Sequence, residues 1–314
     1  MQRFVEDKII GQKTLVNRLL LVLLADGHLL VEGAPGLAKT RAIQSLSEGL
    51  ESAFHRVQFT PDLLPADITG TEVFHQADGK FQFQPGPLFN NLILADEINR
   101  APAKVQSALL EAMAERQVTV AGTTYPLPDP FLVMATQNPI EQEGTYQLPE
   151  AQLDRFLMHV KVDYPSLAEE KQILQLSRQE MLADVRQQRR QRSPVLNAQD
   201  IRQAREAVLG IYMADNVEHY ILHLVMATRR PDKYAPDLRE SIAYGASPRA
   251  TLALDRCSRA YAWLQGRDYV SPEDVQHIAH DVLRHRIILN FEAEAEGYNS
   301  DKVINELLSF VAVP

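Results

Sequence analysis

Cysteine is almost missing from this chain, whose 314 residues include only Cys257. A single cysteine excludes an intramolecular disulfide, and with it the disulfide-rich scaffolds of small secreted proteins. Residues Met1–Ile10 are charged and have no apolar core, so they do not predict a signal peptide. Together these features lead us to expect a protein of the reducing cytoplasm.

Long hydrophobic runs and an excess of positive charge are missing as well. The longest apolar run, Leu19–Ala25, falls far short of the about 20 residues that span a bilayer. It predicts a buried helix segment and no membrane insertion. The formal net charge is -9. Nucleic-acid-binding proteins usually carry a basic domain or stripe, so DNA and RNA are poor candidate partners.

The first half of the chain alternates short apolar runs with helical patterns such as Gln12–Ala25 and Ala103–Glu115. Runs without polar alternation predict strands buried on both faces. Strand–helix alternation predicts an α/β fold with a parallel sheet flanked by helices. The predicted strands are His28–Glu32, Val57–Phe59, Leu92–Ala95, Phe131–Ala135 and Met158–Val162.

Two segments do not fit this minimal α/β layer and predict inserted hairpins. Phe74–Phe83 has Asp78-Gly79 between β-prone residues, and Gln117–Leu127 has Ala121-Gly122. Asp-Gly favours a tight turn between two strands, and Ala121-Gly122 predicts the second hairpin more weakly.

From Asn197 onward the sequence predicts only helices. Ser271 is a typical N-cap and is followed by Pro272 at the first helical position. We therefore predict an α/β core at residues 1–168, a linker helix region at 169–195 and an all-helical lid at 196–314. The linker region carries a cluster of arginines that we expect to face solvent, with a phosphate or partner contact as the alternative: Arg186, Arg189, Arg190 and Arg192.

A glycine-rich loop connects the first predicted strand to a helix. Its members are Gly33, Ala34, Pro35, Gly36, Leu37, Ala38, Lys39 and Thr40. Small residues let backbone N–H groups surround a phosphate at the positive end of a helix. Lys39 would reach the outer phosphates, and the Thr40 hydroxyl would bind Mg²⁺. Ala38 replaces the usual glycine before the lysine, which is tolerable if its φ is negative. An ordinary strand–helix turn with a lysine is the alternative.

An acidic pair, Asp96 and Glu97, ends the apolar strand Leu92–Ala95. Residues at the carboxyl end of a parallel strand lie over the ligand crevice of the sheet. Asp96 would bind Mg²⁺, directly or through water, and Glu97 would act as general base on the attacking water. A surface turn or helix cap is the alternative for such a pair.

Three further polar positions are candidates for the same chemistry. Asn138, or Gln137 as a second choice, follows the strand Phe131–Ala135 and could orient water or contact the γ-phosphate. Arg155 could act as an arginine finger in a neighbouring subunit, or form an ion pair with Asp154 or Glu150. Arg249 could contact the γ-phosphate from the lid, or be an exposed arginine at a helix start.

Taken together, these elements resemble the AAA+ ATPases, and most closely their MoxR family. The similar segments are QFTPDLLPADITG, GAPGLAKT, GPLFNNLILADEINRAP, MATQNP, LPEAQLDRFLMHV and SPRA. The loop with alanine before the lysine is that family's form, and the resemblance covers nearly the whole chain.

The resemblance implies ATP and Mg²⁺ as cofactors and a role for each candidate residue. Lys39 and Thr40 bind phosphate and Mg²⁺, and Asp96 and Glu97 form the acidic pair. Asn138 is the first sensor, Arg155 the finger acting in trans and Arg249 the second sensor. The segment Ile9–Gln12, with Ile10, Gly11 and Gln12, resembles the one that lies against adenine.

The resemblance also implies a ring, commonly a hexamer, with chaperone-like work on other proteins. A protein with a von Willebrand factor A domain is an expected partner, and the two hairpins are candidate contacts for clients. Three other interpretations stay open at this point: a chelatase-type subunit for metal insertion, a nucleic-acid translocase, and a nucleotide-gated scaffold. Glu97 argues against the scaffold, which has no need of a positioned base.

Overall fold

A computed structural model describes residues 1–76, 79–139, 145–186, 194–234, 238 and 240–314. Four predicted features, Asp78 of the first turn and the arginines at 189, 190 and 192, lie outside these residues. Within them, no helix has both the length and the apolar character needed to cross a membrane.

The chain divides into two compact units. The first contains Met1–Leu20, His28–Gln147 and Val160–Ile201, and the second contains Leu21–Gly27, Leu148–His159 and Arg202–Pro314. The predicted domains, divided at residues 168 and 195, are continuous segments, whereas each of these units consists of three separate segments. The predicted domain boundaries stay a prediction.

A five-stranded sheet forms the centre of the first unit, in the order β2 (Phe54–Gln58), β5 (Leu92–Asp96), β8 (Leu132–Gln137), β1 (Leu29–Glu32) and β9 (Met158–Lys161). Neighbouring strands from β2 to β1 pair in parallel. All five predicted strands are confirmed: β1 Leu29–Glu32, β2 Phe54–Gln58, β5 Leu92–Asp96, β8 Leu132–Gln137 and β9 Met158–Lys161.

Burial separates the inner strands from the edge. β1, β5 and β8 are apolar and almost fully buried, as expected for strands covered on both faces. β2 is different, since only Val57 among its residues is buried. The prediction of burial on both faces is wrong for this strand because it lies at the edge of the sheet.

Helices accompany the strands of this part of the chain, and α2 and α5 match their predicted spans closely. The helices up to residue 185 are α1 Gln2–Glu6, α2 Lys13–Leu24, α3 Lys39–Gly49, α4 Pro65–Thr69, α5 Ala103–Glu115, α6 Glu150–Leu153 and α7 Leu167–Val185.

Both predicted hairpins are confirmed. β3 Gly70–His75 pairs antiparallel with β4 Lys80–Pro85, and β6 Gln117–Val120 pairs with β7 Thr123–Pro126. Phe83 of the first hairpin stacks on Tyr125 of the second, with ring centroids 4.1 Å apart. This aromatic contact joins the two insertions to each other.

The second unit is mainly helical and packs around buried faces of α9, α11 and α12. Ser271 forms the predicted cap of α12. One prediction needs correction, since β10 Ile242–Tyr244 and β11 Ile288–Leu289 form a short antiparallel pair. The helices from residue 198 are α8 Ala198–Leu209, α9 Asp215–Arg229, α10 Pro231–Tyr234, α11 Pro248–Leu264, α12 Pro272–Leu283, α13 Phe291–Ala295 and α14 Ser300–Phe310.

Candidate active site

The glycine-rich loop lies between β1 and the first residue of α3, Lys39, as the sequence predicted. Gly33 is closely packed, because a Cβ there would lie 2.8 Å from the Val162 carbonyl oxygen. Gly36 has φ +84° and open space where a side chain would be. This backbone therefore leaves room for a ligand beside it.

Ala38 differs from the expectation for this loop. Its φ is 56° and its ψ is 17°, in the left-handed region, whereas the sequence argument required a negative φ. A left-handed conformation costs an L-residue roughly 1–2 kcal/mol. The loop thus keeps the backbone shape for which glycine is suited, although an alanine occupies the position.

Lys39 is buried at the start of α3, and its Nζ donates a hydrogen bond to the Gly33 carbonyl 2.6 Å away. Burial lowers the pKa of Lys39, whereas the carboxylates of Asp96 and Glu97 oppose that effect. The lysine side chain therefore lies within electrostatic reach of the acidic pair.

Thr136, at the end of β8, connects the two acidic residues. Its Oγ1 donates a hydrogen bond to Asp96 Oδ1 at 2.6 Å and accepts one from the Glu97 backbone N–H at 2.9 Å. Glu97 has φ 58°, another left-handed non-glycine residue. Such strained positions are concentrated at functional sites, and here one hydroxyl stabilises the turn.

Three further side chains bind the acidic pair, and sequence reasoning missed all of them. Arg56 Nε and Nη2 donate to Asp96 Oδ2 at 3.1 and 2.7 Å. Gln58 Nε2 and Arg100 Nη1 donate to Glu97 Oε2 at 2.8 and 3.0 Å. Arg56 and Gln58 come from β2, whose Gln58 pairs in register with Asp96. The missing signal was strand order, since a polar residue near the end of β2 matters only once β2 is known to lie beside β5.

Most of the predicted phosphate and magnesium residues line one cavity of about 360 Å³, but Gly33 and Ala34 are not among its lining residues. Lys39, Thr40, Asp96, Glu97 and Asn138 all face it. Its full lining is Pro35, Gly36, Leu37, Ala38, Lys39, Thr40, Arg41, Arg56, Gln58, Asp96, Glu97 and Asn138.

A second cavity of about 340 Å³ shares Pro35–Ala38 and Arg41 with the first. Ile10 and Gln12, predicted to lie against adenine, line it together with apolar residues such as Ile173 and Leu176 of α7. Gly11 has φ +79° and packs against Pro165 and Glu169. A polar cavity thus adjoins a more apolar one across the same loop.

Arg155 and Arg249 belong to the second unit. There Asp154 accepts hydrogen bonds from Arg286 Nε and Ser247 Oγ at 2.8 Å each, and from Arg249 Nη1 at 3.2 Å. Arg286 is buried; burial lowers its pKa, and the carboxylate of Asp154 opposes that effect. Asp154 and Arg286 were also missed as neighbours of Arg249, because they are distant from it in sequence.

Comparison with known proteins agrees with this fold. Residues 28–158 match the model of an ATPase family associated with various cellular activities, and residues 235–307 match an AAA lid domain. The crystal structure of a protein from Cytophaga hutchinsonii has a TM-score of 0.92 and 46% identity, covering 99% of this chain and 93% of the other. These matches, together with the parallel sheet, place the chain among the AAA+ ATPases.

Two relatives narrow that class. The chain is 46% identical to Chaperone MoxR1 of Mycobacterium tuberculosis, over 98% of this chain and 79% of the relative. It is 31% identical to Protein MoxR of Methylorubrum extorquens, over 92% and 86%. The chain belongs to the MoxR family of AAA+ ATPases.

Proposed function

We propose that this protein is a Mg²⁺-dependent ATPase that hydrolyses ATP between the subunits of a ring and uses the energy to remodel partner proteins. The observation that carries this proposal is one cavity lined by Lys39, Thr40, Asp96, Glu97 and Asn138. A cation for phosphate, oxygen ligands for a metal and a carboxylate for water meet there. This combination is what phosphoryl transfer to water requires.

The residues fit Mg²⁺·ATP in their chemistry. The hydroxyl of Thr40 and the carboxylate of Asp96 are hard oxygen donors, which Mg²⁺ prefers. When bound, Mg²⁺ neutralises phosphate charge. The N-terminus of α3 and Lys39 supply positive potential for the phosphates. The adjoining apolar cavity with Ile10 and Gln12 suits the flat face of adenine.

Glu97 is the proposed base for the attacking water. Its carboxylate lines the cavity and is bonded by Gln58 and Arg100. Asn138 is buried beside the same cavity and is proposed to orient the water or contact the γ-phosphate. Lys39 is proposed to stabilise the charge that develops on the phosphate oxygens.

Arg155 and Arg249 are proposed to complete the site, Arg155 across a subunit boundary and Arg249 from the lid. A hexameric ring places each finger at a neighbour's nucleotide. Such arginines contribute about 10³–10⁵ in rate in well-studied nucleotidases. If this holds, ATP turnover per subunit rises steeply with protein concentration. A rate independent of concentration would contradict catalysis in trans.

Two variants test the assignment of roles at the cavity. We expect Lys39→Ala to abolish nucleotide binding, because the buried cation is lost. We expect Glu97→Gln to bind ATP normally and to lose turnover by about 10²–10⁴-fold, the usual contribution of a general base. Binding is measured by calorimetry and turnover by phosphate release. Hydrolysis by Glu97→Gln at the wild-type rate would contradict the role of Glu97.

The work on partner proteins is proposed from the relatives, one of which is a named chaperone. A client and a partner with a von Willebrand factor A domain in the cytoplasm are the expected interactors. Glu97→Gln should retain them longer than wild type in a pull-down with ATP, because the ATP state persists. Equal retention with Lys39→Ala, which cannot bind ATP, would contradict an ATP-driven cycle.

A further inference from the structure

We propose that Arg56 takes the place of Mg²⁺ at Asp96. Its guanidinium binds the Asp96 carboxylate before nucleotide binds, and it releases this carboxylate when Mg²⁺·ATP binds. This inference rests on the proposed function. It assigns to Arg56 the task of setting how much Mg²⁺ the site requires.

Both oxygens of Asp96 are engaged by protein donors. Oδ1 accepts from the Thr136 hydroxyl at 2.6 Å, and Oδ2 accepts two N–H groups of Arg56 at 3.1 and 2.7 Å. Both Arg56 bonds converge on this one oxygen, and charge-assisted hydrogen bonds are stronger than neutral ones. A cation that takes Asp96 Oδ2 as a ligand has to displace Arg56.

Arg56 is placed so that displacement is feasible. Its side chain is 50% exposed, compared with 13% for Asp96, and it comes from the edge strand β2. An exposed guanidinium regains water when it leaves its partner, so the cost is moderate. Gln58 Oε1 accepts a further bond from Arg56 Nη2 at 3.1 Å, which offers the arginine a second anchor near the cavity.

The negative charges of the cavity explain why a positive partner for Asp96 favours nucleotide binding before Mg²⁺ is present. Asp96 and Glu97 would repel the phosphates of ATP if no cation accompanied them. Arg56 also lines this cavity and neutralises Asp96 until the metal arrives. It therefore favours binding of metal-free nucleotide and competes against the metal-bound form.

The test is a Mg²⁺ titration of nucleotide binding, with a fluorescent ATP analogue as probe and with EDTA as the metal-free point. We expect Arg56→Gln to reach half-saturation at a Mg²⁺ concentration up to about fivefold lower than wild type, because the competing exposed pair is gone. In EDTA the same variant should bind the analogue more weakly than wild type. Lys104→Gln removes an exposed positive charge from α5 and should leave both values unchanged.

The opposite directions of the two shifts distinguish this role from a structural one. An Arg56→Gln protein that binds more weakly in both conditions, or that has the wild-type Mg²⁺ midpoint, would overturn the inference. Failure of wild type to bind nucleotide at any Mg²⁺ concentration would instead contradict the proposed function.

Discussion

Each of the two units contains an aspartate that binds an arginine, and the two pairs differ in the burial of the arginine. Asp96 and Asp154 are similarly buried, with side chains 13% and 14% exposed. The partner of Asp96, Arg56, is 50% exposed, whereas Arg286, the partner of Asp154, is 2% exposed. The first pair can exchange with a ligand, and the second is a fixed part of the protein interior.

The surrounding bonds agree with this difference. Arg286 also donates to the carbonyl oxygens of Phe156 and Leu157, at 2.6 and 3.2 Å. A buried guanidinium with that many acceptors would not be hydrated by solvent if it separated from Asp154. Asp154 in turn holds Ser247 and Arg249, so a fixed pair supports the arginine proposed as the second sensor. An exchangeable pair suits a ligand site, and a fixed pair suits a support.

The largest effect is expected from breaking the fixed pair. Arg286→Ala leaves Asp154 buried without its main partner, and removing one member of a buried pair costs about 3–5 kcal/mol. Arg56→Ala, the matched change in the exchangeable pair, should cost about 1 kcal/mol or less. Denaturant unfolding of both variants measures the two free energies. Equal losses would remove the distinction between the pairs.

A second prediction concerns Thr136, whose hydroxyl donates the hydrogen bond to Asp96 that is not expected to exchange with a ligand. Thr136→Val keeps the shape of the side chain but removes the hydroxyl that connects Asp96 and the Glu97 N–H. We expect an about 10–100-fold loss of ATP turnover, the usual cost of losing such an orienting group. Thr136→Ser keeps the hydroxyl and should retain most of the activity. If valine and serine behave alike, the hydroxyl does not orient the acidic pair.

The third prediction uses pH to probe the buried surroundings of Arg286. Burial, followed by the neighbouring charges of Arg286 and His159, lowers the pKa of His285 well below its usual value. The folded protein therefore binds this proton less readily than the unfolded chain does. Acidification below about pH 6.5 then favours unfolding, by up to about 1.4 kcal/mol per pH unit for one such group.

His285→Gln retains a donor for the Phe156 carbonyl, which accepts from His285 Nε2 at 3.1 Å. Unfolding free energies at pH 7 and pH 5 should therefore differ less for this variant than for wild type. A variant with the same loss of stability as wild type would show that other groups cause it.

The sequence predicted the parts of the molecule that are local in the chain. The five strands, the two hairpins and the loop before Lys39 depend on neighbouring residues and were confirmed. Arg56, Gln58 and Thr136 were missed as partners of the acidic pair, because β2, β5 and β8 are separated in sequence and adjacent only in the sheet. For the same reason the sequence did not reveal that β2 is an exposed edge.

Backbone conformation was the other feature that the sequence left open. An alanine in the sequence does not indicate its own φ angle. The loop imposes the left-handed conformation of Ala38, which alanine itself does not favour. The first unit thus carries strain at Ala38 and Glu97 beside its exchangeable ion pair.

The smallest effect is expected from Ala38→Gly. Glycine relieves the left-handed strain of roughly 1–2 kcal/mol, but it also loses about 0.4–1 kcal/mol through the greater freedom of the unfolded chain. The net gain in unfolding free energy should be about 1 kcal/mol or less, seen as a slightly higher denaturant midpoint. Ala114→Gly, an exposed alanine in α5, should lower stability by about 0.5–1 kcal/mol. If both substitutions destabilise equally, Ala38 is not strained in the folded protein, and the difference between the two sites rests on their ion pairs alone.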